Sequence, residues 1–243
     1  MKLPLVLVSD VDGTLLGDAA ALDGFCRWHV EQPARIRLVY ASGRFYESIV
    51  ESIRTTGLPP PDAIIGGVGT EIRDFPSGRS VQGWQEQFSH FRAEVVRSCL
   101  SRYEALELQP DHLQSAYKVS YYAIDATDEF LTGLHADLEQ AGCPAQIVYS
   151  SRRDLDVLPR GVDKGAAAQF LIRQWGVDPR RVMVSGDSGN DASMFGRGFR
   201  GIVVGNAHDD LKALGGDGVF IARQPYAAGV LEGLQYWLSD GKP

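Results

Sequence analysis

The sequence predicts an α/β fold, a doubly wound and mostly parallel (Rossmann-like) sheet interrupted by an inserted α+β domain. Short apolar runs rich in valine and isoleucine alternate with longer amphipathic segments, as in parallel sheets that helices cover on both faces. This alternation is lost between about residues 84 and 155. Polar residues follow several of the apolar runs, and open α/β sheets bind their ligands at such strand ends.

The predicted core comprises residues 1–83 and 156–243. Six apolar runs are predicted as its strands, and four amphipathic segments as its helices. The strands are 3–10, 36–42, 62–67, 181–187, 200–206 and 218–223. The helices are 20–32, 44–57, 163–176 and 207–216, and the last three end at or beside glycine, as helix C-termini often do.

The inserted domain is predicted over residues 84–155. Its pattern is helix, strand, helix, strand, strand, which favours antiparallel pairing. The segments are 88–106, 117–124, 128–142, 145–151 and 154–159.

Composition narrows the class of protein. At 243 residues and 44% hydrophobic, the chain can form one large domain or a medium domain with an insertion. The net charge of −7, without a Lys/Arg-rich stretch, argues against nucleic-acid or membrane-surface partners. The three scattered cysteines, Cys26, Cys99 and Cys143, indicate reduced thiols. We expect no signal peptide, no membrane span, no obligate protein partner and a cytoplasmic location.

Four polar motifs stand at predicted strand ends or at a predicted helix start. They are DVDGT (10–14), SGR (42–44), DKG (163–165) and GDSGND (186–191). Because parallel strands end at one edge of the sheet, three carboxylates, a hydroxyl and a lysine are expected to converge there.

Such a group of side chains suits a phosphoryl group. Clustered carboxylates need a cation, and hard oxygen ligands select Mg²⁺. A lysine, a hydroxyl and the N–H groups of Gly13 and Gly43 can bind phosphoryl oxygens. Residues i and i+2 of an extended segment share a side, so Asp10 can attack phosphorus while Asp12 protonates the leaving oxygen.

Each motif alone has a simpler explanation. Paired aspartates are often exposed loop or cap residues, and Ser-Gly is a common turn. The aspartate before Lys164 is also a normal helix N-cap, and GDSGND could be a turn or a calcium-type loop. The four motifs together, in this order, favour a catalytic site.

The motifs match, in order, those of the haloacid dehalogenase-like phosphatase superfamily. The chain between Ser42 and Lys164 is long enough for the larger, C2-type cap domain of that superfamily. Further segments resemble the sucrose-6-phosphate and mannosylfructose-phosphate phosphatases. These are GTEIRD (69–74), YKVSYY (117–122), SSRRDLDVLP (150–159) and VGNAHDDL (204–211). The chain departs from sucrose phosphatases at Gly13, where they often have asparagine, and at Ser42, where they often have threonine.

The resemblance implies a role for each motif residue. Asp10 is the nucleophile and Asp12 the general acid and base. The phosphate-binding residues are Ser42, Gly43 and Lys164, with Gly13. The metal site comprises Asp10, Asp12 through its backbone carbonyl, and Asp187, with Asn190 and Asp191 in support.

Substrate specificity is expected in the cap, where polar and aromatic side chains can bind sugar hydroxyls. Tyr121 and Tyr122 face opposite sides of one strand, so at most one of them should meet the ligand. Lys118 could instead be a solvated charge on an edge strand. The candidates are Lys118, Tyr117, Tyr121, Arg152, Arg153 and Asp154 in the cap, and Arg44, Glu71 and Asn206 in the core.

The expected activity is Mg²⁺-dependent hydrolysis of a disaccharide phosphate, sucrose 6-phosphate first, through an aspartyl-phosphate. Alternative substrates are mannosylfructose phosphate, mannosyl-3-phosphoglycerate and a monosaccharide phosphate. An alternative of another class is a non-enzymatic phospho-acceptor module, like a response-regulator receiver. The large insertion and Asp12, which would speed loss of the phosphoryl group, argue against that alternative.

Overall fold

Two sheets organise the chain in its computed structural model, which describes residues 5–32 and 36–239. Within those residues, the larger sheet has seven strands and the smaller has four. The strands are β1 (Leu5–Ser9), β2 (Ile36–Ala41), β3 (Ala63–Gly66), β4 (Glu71–Asp74), β5 (Glu107–Leu108), β6 (Val119–Tyr122), β7 (Ala145–Ser150), β8 (Asp154–Pro159), β9 (Val182–Gly186), β10 (Arg200–Val203) and β11 (Val219–Ile221). The helices are α1 (Ala19–Glu31), α2 (Tyr46–Thr56), α3 (Ala93–Leu100), α4 (Asp128–Gln140), α5 (Lys164–Gln174), α6 (Asp209–Lys212) and α7 (Tyr226–Ser239).

The larger sheet has the strand order β11-β10-β9-β1-β2-β3-β4. Its paired strands are parallel except for β4, which runs antiparallel to β3. The chain proceeds from β1 to β2 on one side, and β9 later joins β1 on the other. The order therefore reverses at β1, and ligands bind at such a switch point in open α/β sheets. The predicted doubly wound, mostly parallel fold is confirmed.

Two core elements lie outside the predicted pattern. Strand β4 has only four residues, two of them charged at its ends, so its sequence lacks an apolar run. Helix α7 packs against α1 and β10, and that contact is not visible in a local pattern. Residues 3 and 4 of the first predicted strand lie outside the described residues, as do residues 1, 2, 33–35 and 240–243 of the predicted core.

The smaller sheet, with α3 and α4, forms what we call the cap. Its strand order is β5-β6-β8-β7, and all its pairs are antiparallel. Helix α3 is shorter than the predicted 88–106, because Phe91 and Tyr103 join the cap's apolar cluster from the turns beside it. The proposed domain limit between residues 155 and 156 falls inside β8, and the division into domains stays a prediction.

Trp84 anchors the segment through which the chain first enters the cap. Its indole Nε1 donates to the Gly69 carbonyl (2.8 Å), and its ring contacts Phe88 and Phe170. The side chain is 4% exposed, so this segment is held firmly against the core. In the described part of the chain, no helix has the length and apolar character that a membrane span requires.

Candidate active site

The loop after β1 holds Asp10 at the centre of the larger sheet's carboxyl edge. The Asp10 N–H donates to the Ser185 carbonyl of β9 (3.0 Å), and the Asp10 side chain is buried. Gly13 has φ +80°, and a Cβ there would lie 2.5 Å from Asp187 Oδ2. Glycine thus lets the loop turn left-handed directly against the carboxylate of Asp187.

Lys164 links two of the motif carboxylates in the protein interior. Its Nζ donates to Asp10 Oδ1 (2.7 Å), Asp191 Oδ1 (2.7 Å) and Asn190 Oδ1 (2.8 Å). The side chain is completely buried, and burial by itself lowers the pKa of a lysine. Asp10 and Asp191 outweigh that effect and raise the pKa of Lys164, so it remains an ammonium.

The start of α5 determines where this ammonium lies. Asp163 caps the helix, because its Oδ1 accepts the Ala166 N–H at 2.6 Å. Gly165, which follows Lys164, lies against the 3₁₀ helix Gly189–Met194, and a Cβ there would lie 1.9 Å from the Ser193 carbonyl oxygen. The glycine of the DKG motif is therefore required by backbone contact, and it brings Lys164 close to the GDSGND loop.

Three carboxylates form a cluster that fits a divalent cation. One oxygen each from Asp10, Asp187 and Asp191 lies within 4.8 Å of the others. These three carboxylates carry more negative charge than the one ammonium of Lys164 can balance. Hard oxygen donors with excess negative charge are the ligands that Mg²⁺ prefers.

The three carboxylates differ in how far the protein already satisfies them. Asp191 accepts Lys164 at Oδ1 and the N–H groups of Asp187 and Ser188 at Oδ2 (3.0 and 3.1 Å). These three hydrogen bonds occupy much of the Asp191 carboxylate, so its main role is to stabilise the GDSGND loop and fewer of its lone pairs remain for a metal ion. Asp187 accepts a hydrogen bond from the Thr14 hydroxyl at Oδ1 (3.1 Å). Thr14 belongs to the first motif, but its sequence pattern did not reveal this contact.

Burial and neighbouring charges raise the pKa values of two aspartates in this cluster. Burial raises the pKa of Asp10 well above its usual range; Lys164 opposes this shift, while Asp191 and Asp187 add to it. Burial, reinforced by the charge of Asp191, raises the pKa of Asp187 to about 6. Without a cation, Asp10 and Asp187 therefore hold protons more tightly than ordinary aspartates do.

The loop after β2 brings Ser42 and Gly43 beside the carboxylates. Ser42 is buried, and its N–H donates to the Ile65 carbonyl (2.9 Å). The loop between β3 and β4 supports Ser42, since the Val68 N–H donates to the Ser42 carbonyl (3.0 Å). Val68 is buried with φ +58°, a strained conformation for a β-branched residue. The sequence offered no sign of this supporting loop.

The cap presents a polar sheet face to the motif residues. Along β6 and β8, Val119, Tyr121, Leu155 and Val157 belong to the cap's apolar cluster, whereas the residues between them face the other way. On the polar face, Lys118 Nζ donates to Asp156 Oδ1 (2.9 Å) and Ser120 Oγ (2.6 Å). Gln109 Nε2 donates to Asp154 Oδ1 (3.0 Å).

A cavity of about 370 Å³ lies between the cap's polar face and the motif residues. Predicted site residues in its wall are Asp10, Asp12, Ser42, Gly43, Arg44, Lys118, Arg153, Asp154, Asp187 and Asn190. Residues in its wall that sequence reasoning missed are Gln109, Leu113, Tyr122, Ser150, Ser151, Asp156 and Ser188. Strand alternation could have indicated Asp156 and Tyr122, which share a face with Asp154 and Lys118.

Five predicted substrate residues do not line this cavity. Tyr121 is buried in the cap's apolar cluster, so Tyr122 is the member of the pair that reaches the cavity. Arg152 is exposed and paired with Asp125, at 2.8 Å. Asn206 donates to the Gly13 carbonyl (2.7 Å) and accepts the N–H of the residue that begins α7, which supports the first motif loop.

The other two, Glu71 and Tyr117, line a second cavity of about 680 Å³. It adjoins the first, and Arg44 and Leu113 belong to both walls. Glu71 Oε1 accepts the N–H of the first residue of α2 (2.7 Å), and its Oε2 accepts Arg73 Nε (3.0 Å). Glu71 therefore satisfies the N-terminus of α2 and holds Arg73, and it does not line the first cavity.

Comparison with known proteins places the chain among characterised relatives. Residues 3–238 match the family described as sucrose-6F-phosphate phosphohydrolase. The mannosylfructose-phosphate phosphatase of Agrobacterium fabrum is 35% identical over 243 residues, which cover 98% of each chain. Sucrose-phosphatase 1 of Nicotiana tabacum is 30% identical over 96% of this chain, and the match spans 59% of that longer protein.

Solved structures agree with these sequence matches. The sucrose-phosphatase of Synechocystis, crystallised with sucrose and phosphate, is 32% identical, with a TM-score of 0.89 over 96% of this chain and 97% of the other. A haloacid dehalogenase superfamily sugar phosphatase of subclass IIB is 17% identical with a TM-score of 0.69, which shows a shared fold. The predicted resemblance is confirmed. The chain therefore belongs to the sucrose-6F-phosphate phosphohydrolase family of phosphoric monoester hydrolases, with a haloacid dehalogenase-like fold.

Proposed function

We propose that this chain is a Mg²⁺-dependent phosphatase that hydrolyses a disaccharide phosphate, sucrose 6-phosphate first, through an aspartyl-phosphate. The observation that carries the proposal is the 370 Å³ cavity, whose wall includes both Asp10, which is paired with the fully buried Lys164, and the polar face of the cap. A substrate could place its phosphoryl group against the motif residues and its sugar hydroxyls against the polar face of the cap. The named activities of the relatives support the same substrate class.

Asp10 and Asp187 would hold the metal ion, and the loop-forming contacts of Asp191 and Asn190 would keep them in place. The ion would supply positive charge for the phosphoryl oxygens and for the carboxylates themselves. Lys164 contributes a fixed ammonium beside them. Ser42 and the Gly43 N–H lie in the same wall and would bind phosphoryl oxygens.

In the first step, Asp10 attacks phosphorus. Lys164 holds Oδ1, which leaves Oδ2 to form the new O–P bond. The P–O bond to the sugar breaks, its electron pair passes to the sugar oxygen, and Asp12 donates a proton to that oxygen. The free sugar and an aspartyl-phosphate result.

In the second step, the deprotonated Asp12 takes a proton from a water molecule. The water oxygen attacks phosphorus, and the bond from phosphorus to Asp10 breaks. Inorganic phosphate leaves, the Asp10 carboxylate is restored, and Asp12 is again protonated for the next substrate.

The cap wall supports a substrate with a second sugar ring beyond the phosphorylated one. Lys118, Ser120 and Asp156 form a hydrogen-bonded group of buried polar side chains, which is rigid enough to select hydroxyl positions. Tyr122, below the Arg153 guanidinium, adds an aromatic face. Mannosylfructose phosphate is the second candidate, because the full-length relative with that activity is 35% identical.

A phosphate-release assay across sugar phosphates, with Mg²⁺ or with EDTA, tests the proposal. We expect Mg²⁺-dependent multiple turnovers and a preference for sucrose 6-phosphate or mannosylfructose phosphate over glucose 6-phosphate. Asp10→Asn should abolish turnover, while Asp23→Asn, an exposed change in α1, should have no effect. Equal rates on all substrates would contradict the disaccharide assignment, and a single turnover would instead indicate a receiver-like module.

A further inference from the structure

The carboxylate of Asp12 is held differently from the other motif carboxylates. Its side chain is 56% exposed at the cavity wall, whereas Asp10 and Asp191 are buried. Among the described residues, its ion pair is with Arg44, whose Nε lies 2.8 Å from Asp12 Oδ2. An exposed carboxylate on a mobile side chain needs such a contact to keep one position.

A hydrogen bond to helix α2 holds the Arg44 side chain in place. Its Nη1 donates to the Ser52 hydroxyl at 2.8 Å, and Ser52 lies on α2 with 8% exposure. Ser52 does not line the catalytic cavity, so its effect on the reaction must pass through Arg44. The Arg44 backbone N–H donates to the hydroxyl of Ser42 (3.1 Å), which connects Arg44 to the proposed phosphate-binding residue of the loop after β2.

The contact between Arg44 and Asp12 is an ion pair without a hydrogen bond. The nitrogens Nε and Nη2 are buried without a hydrogen-bond acceptor, so Nε lies close to the carboxylate but does not point at it. An ion pair of this kind restrains where the carboxylate lies and still lets it rotate. A group that first gives a proton to a sugar oxygen and then takes one from water needs both properties.

We propose that Arg44, braced by Ser52, is the positioning residue of the general acid and base Asp12. This inference rests on the proposed function, because it presumes that Asp12 transfers the proton. It differs from the sequence-based expectation that Arg44 binds the sugar. In this role Arg44 affects only proton transfer to the leaving group. The hydrolysis rate of a substrate whose leaving group departs without a proton should therefore not depend on Arg44.

The test compares kcat/KM for sucrose 6-phosphate with that for p-nitrophenyl phosphate, whose leaving group needs no proton. Phenyl phosphate, which has no sugar but a more basic leaving group, is measured beside them: a positioning role lowers its kcat/KM as well, whereas a loss confined to sucrose 6-phosphate would indicate a sugar contact and overturn the proposal. The value of kcat/KM depends only on the steps up to departure of the leaving group, so the later attack of water does not affect it. General acid catalysis typically contributes about 100- to 10,000-fold. We expect Ser52→Ala to lower kcat/KM for sucrose 6-phosphate by about tenfold and Arg44→Gln by about 100-fold, with changes under about threefold for p-nitrophenyl phosphate.

Two further variants complete the comparison. Ser52→Thr keeps the hydroxyl and should restore the sugar-phosphate rate. Thr55→Ala, an exposed loss of a hydroxyl three residues later on α2, should leave both substrates unaffected. Equal losses on both substrates for Ser52→Ala and Arg44→Gln would overturn the proposal, because they indicate phosphate binding or altered folding. No loss, or a faster sugar-phosphate reaction, would also overturn it.

Asp12→Asn separates this inference from the proposed function. If that variant loses much more activity on sucrose 6-phosphate than on p-nitrophenyl phosphate, Asp12 is the general acid. A failure of Arg44→Gln to follow the same pattern then refutes the positioning role alone. If Asp12→Asn affects both substrates equally, the general-acid assignment itself is refuted.

Discussion

Replacing Lys164 with methionine should destabilise the core in a way that depends on pH. The side chain is fully buried and donates to Asp10, Asp191 and Asn190 at 2.7–2.8 Å. Methionine has a similar unbranched shape but no charge, so the variant leaves two buried carboxylates without their ammonium. The packing changes little, and the electrostatic loss dominates.

The expected loss of unfolding free energy is about 3–5 kcal/mol at pH 8 in EDTA, which is usual when one partner of a buried ion pair is removed. Lys164 lowers the pKa of Asp10, so without it the folded-state pKa of Asp10 rises further above its unfolded value. The folded variant then binds protons that the unfolded chain does not, so its stability increases as pH falls. One pKa unit corresponds to about 1.4 kcal/mol, and the difference from wild type should narrow by about 2 kcal/mol at pH 5.5.

Guanidinium unfolding in EDTA at pH 8 and pH 5.5 measures both quantities. Lys212→Met at the end of α6 is the matched control, and it should cost little at either pH. If Lys164→Met were as stable as wild type at pH 8, the carboxylates would not depend on this ammonium. A loss that stays the same at pH 5.5 would point to a packing defect and refute the electrostatic explanation.

Three further outcomes follow from the site and its supports. Because Asp187 has a pKa of about 6, protons should compete with the metal as pH falls, and calorimetry should show Mg²⁺ affinity about tenfold weaker at pH 5 than at pH 7. Gly165→Ala should lower the unfolding free energy by about 3 kcal/mol, since its Cβ would meet a backbone carbonyl; Gly133→Ala, in an open part of α4, should raise it by about 0.5–1 kcal/mol. Tyr122→Ala should raise KM for sucrose 6-phosphate about tenfold and leave p-nitrophenyl phosphate unchanged, whereas Tyr121→Ala should instead cost about 3 kcal/mol of stability, measured by thermal unfolding.

The motif residues could be located from sequence because local rules decide their positions. An apolar run followed at once by Asp10 specifies a buried strand that ends in a carboxylate. The same holds for the strand before Asp187, and Asp163 marks the start of a helix that carries Lys164. Once the strands are parallel, their ends meet at one edge, so these residues come together without any knowledge of the loops.

The substrate candidates were less predictable, for two physical reasons. Alternation shows that Tyr121 and Tyr122 face opposite sides of β6, but which side α3 and α4 cover depends on packing between distant segments. Glu71 and Asn206 are polar residues near motifs, yet each also hydrogen-bonds to backbone groups at least 20 residues away in the chain. Such hydrogen bonds leave no mark in the local sequence.

The sequence by itself determined the fold class and the four motifs, because hydrophobic periodicity and turn chemistry act over a few residues. The tertiary structure decided which cap face meets the motifs, that Asp191 is already satisfied by its own loop, and that Arg44 lies against Asp12 with Ser52 behind it. These facts depend on contacts between segments that are far apart in the chain. Such contacts form only when the two sheets and their helices bury their apolar surfaces together.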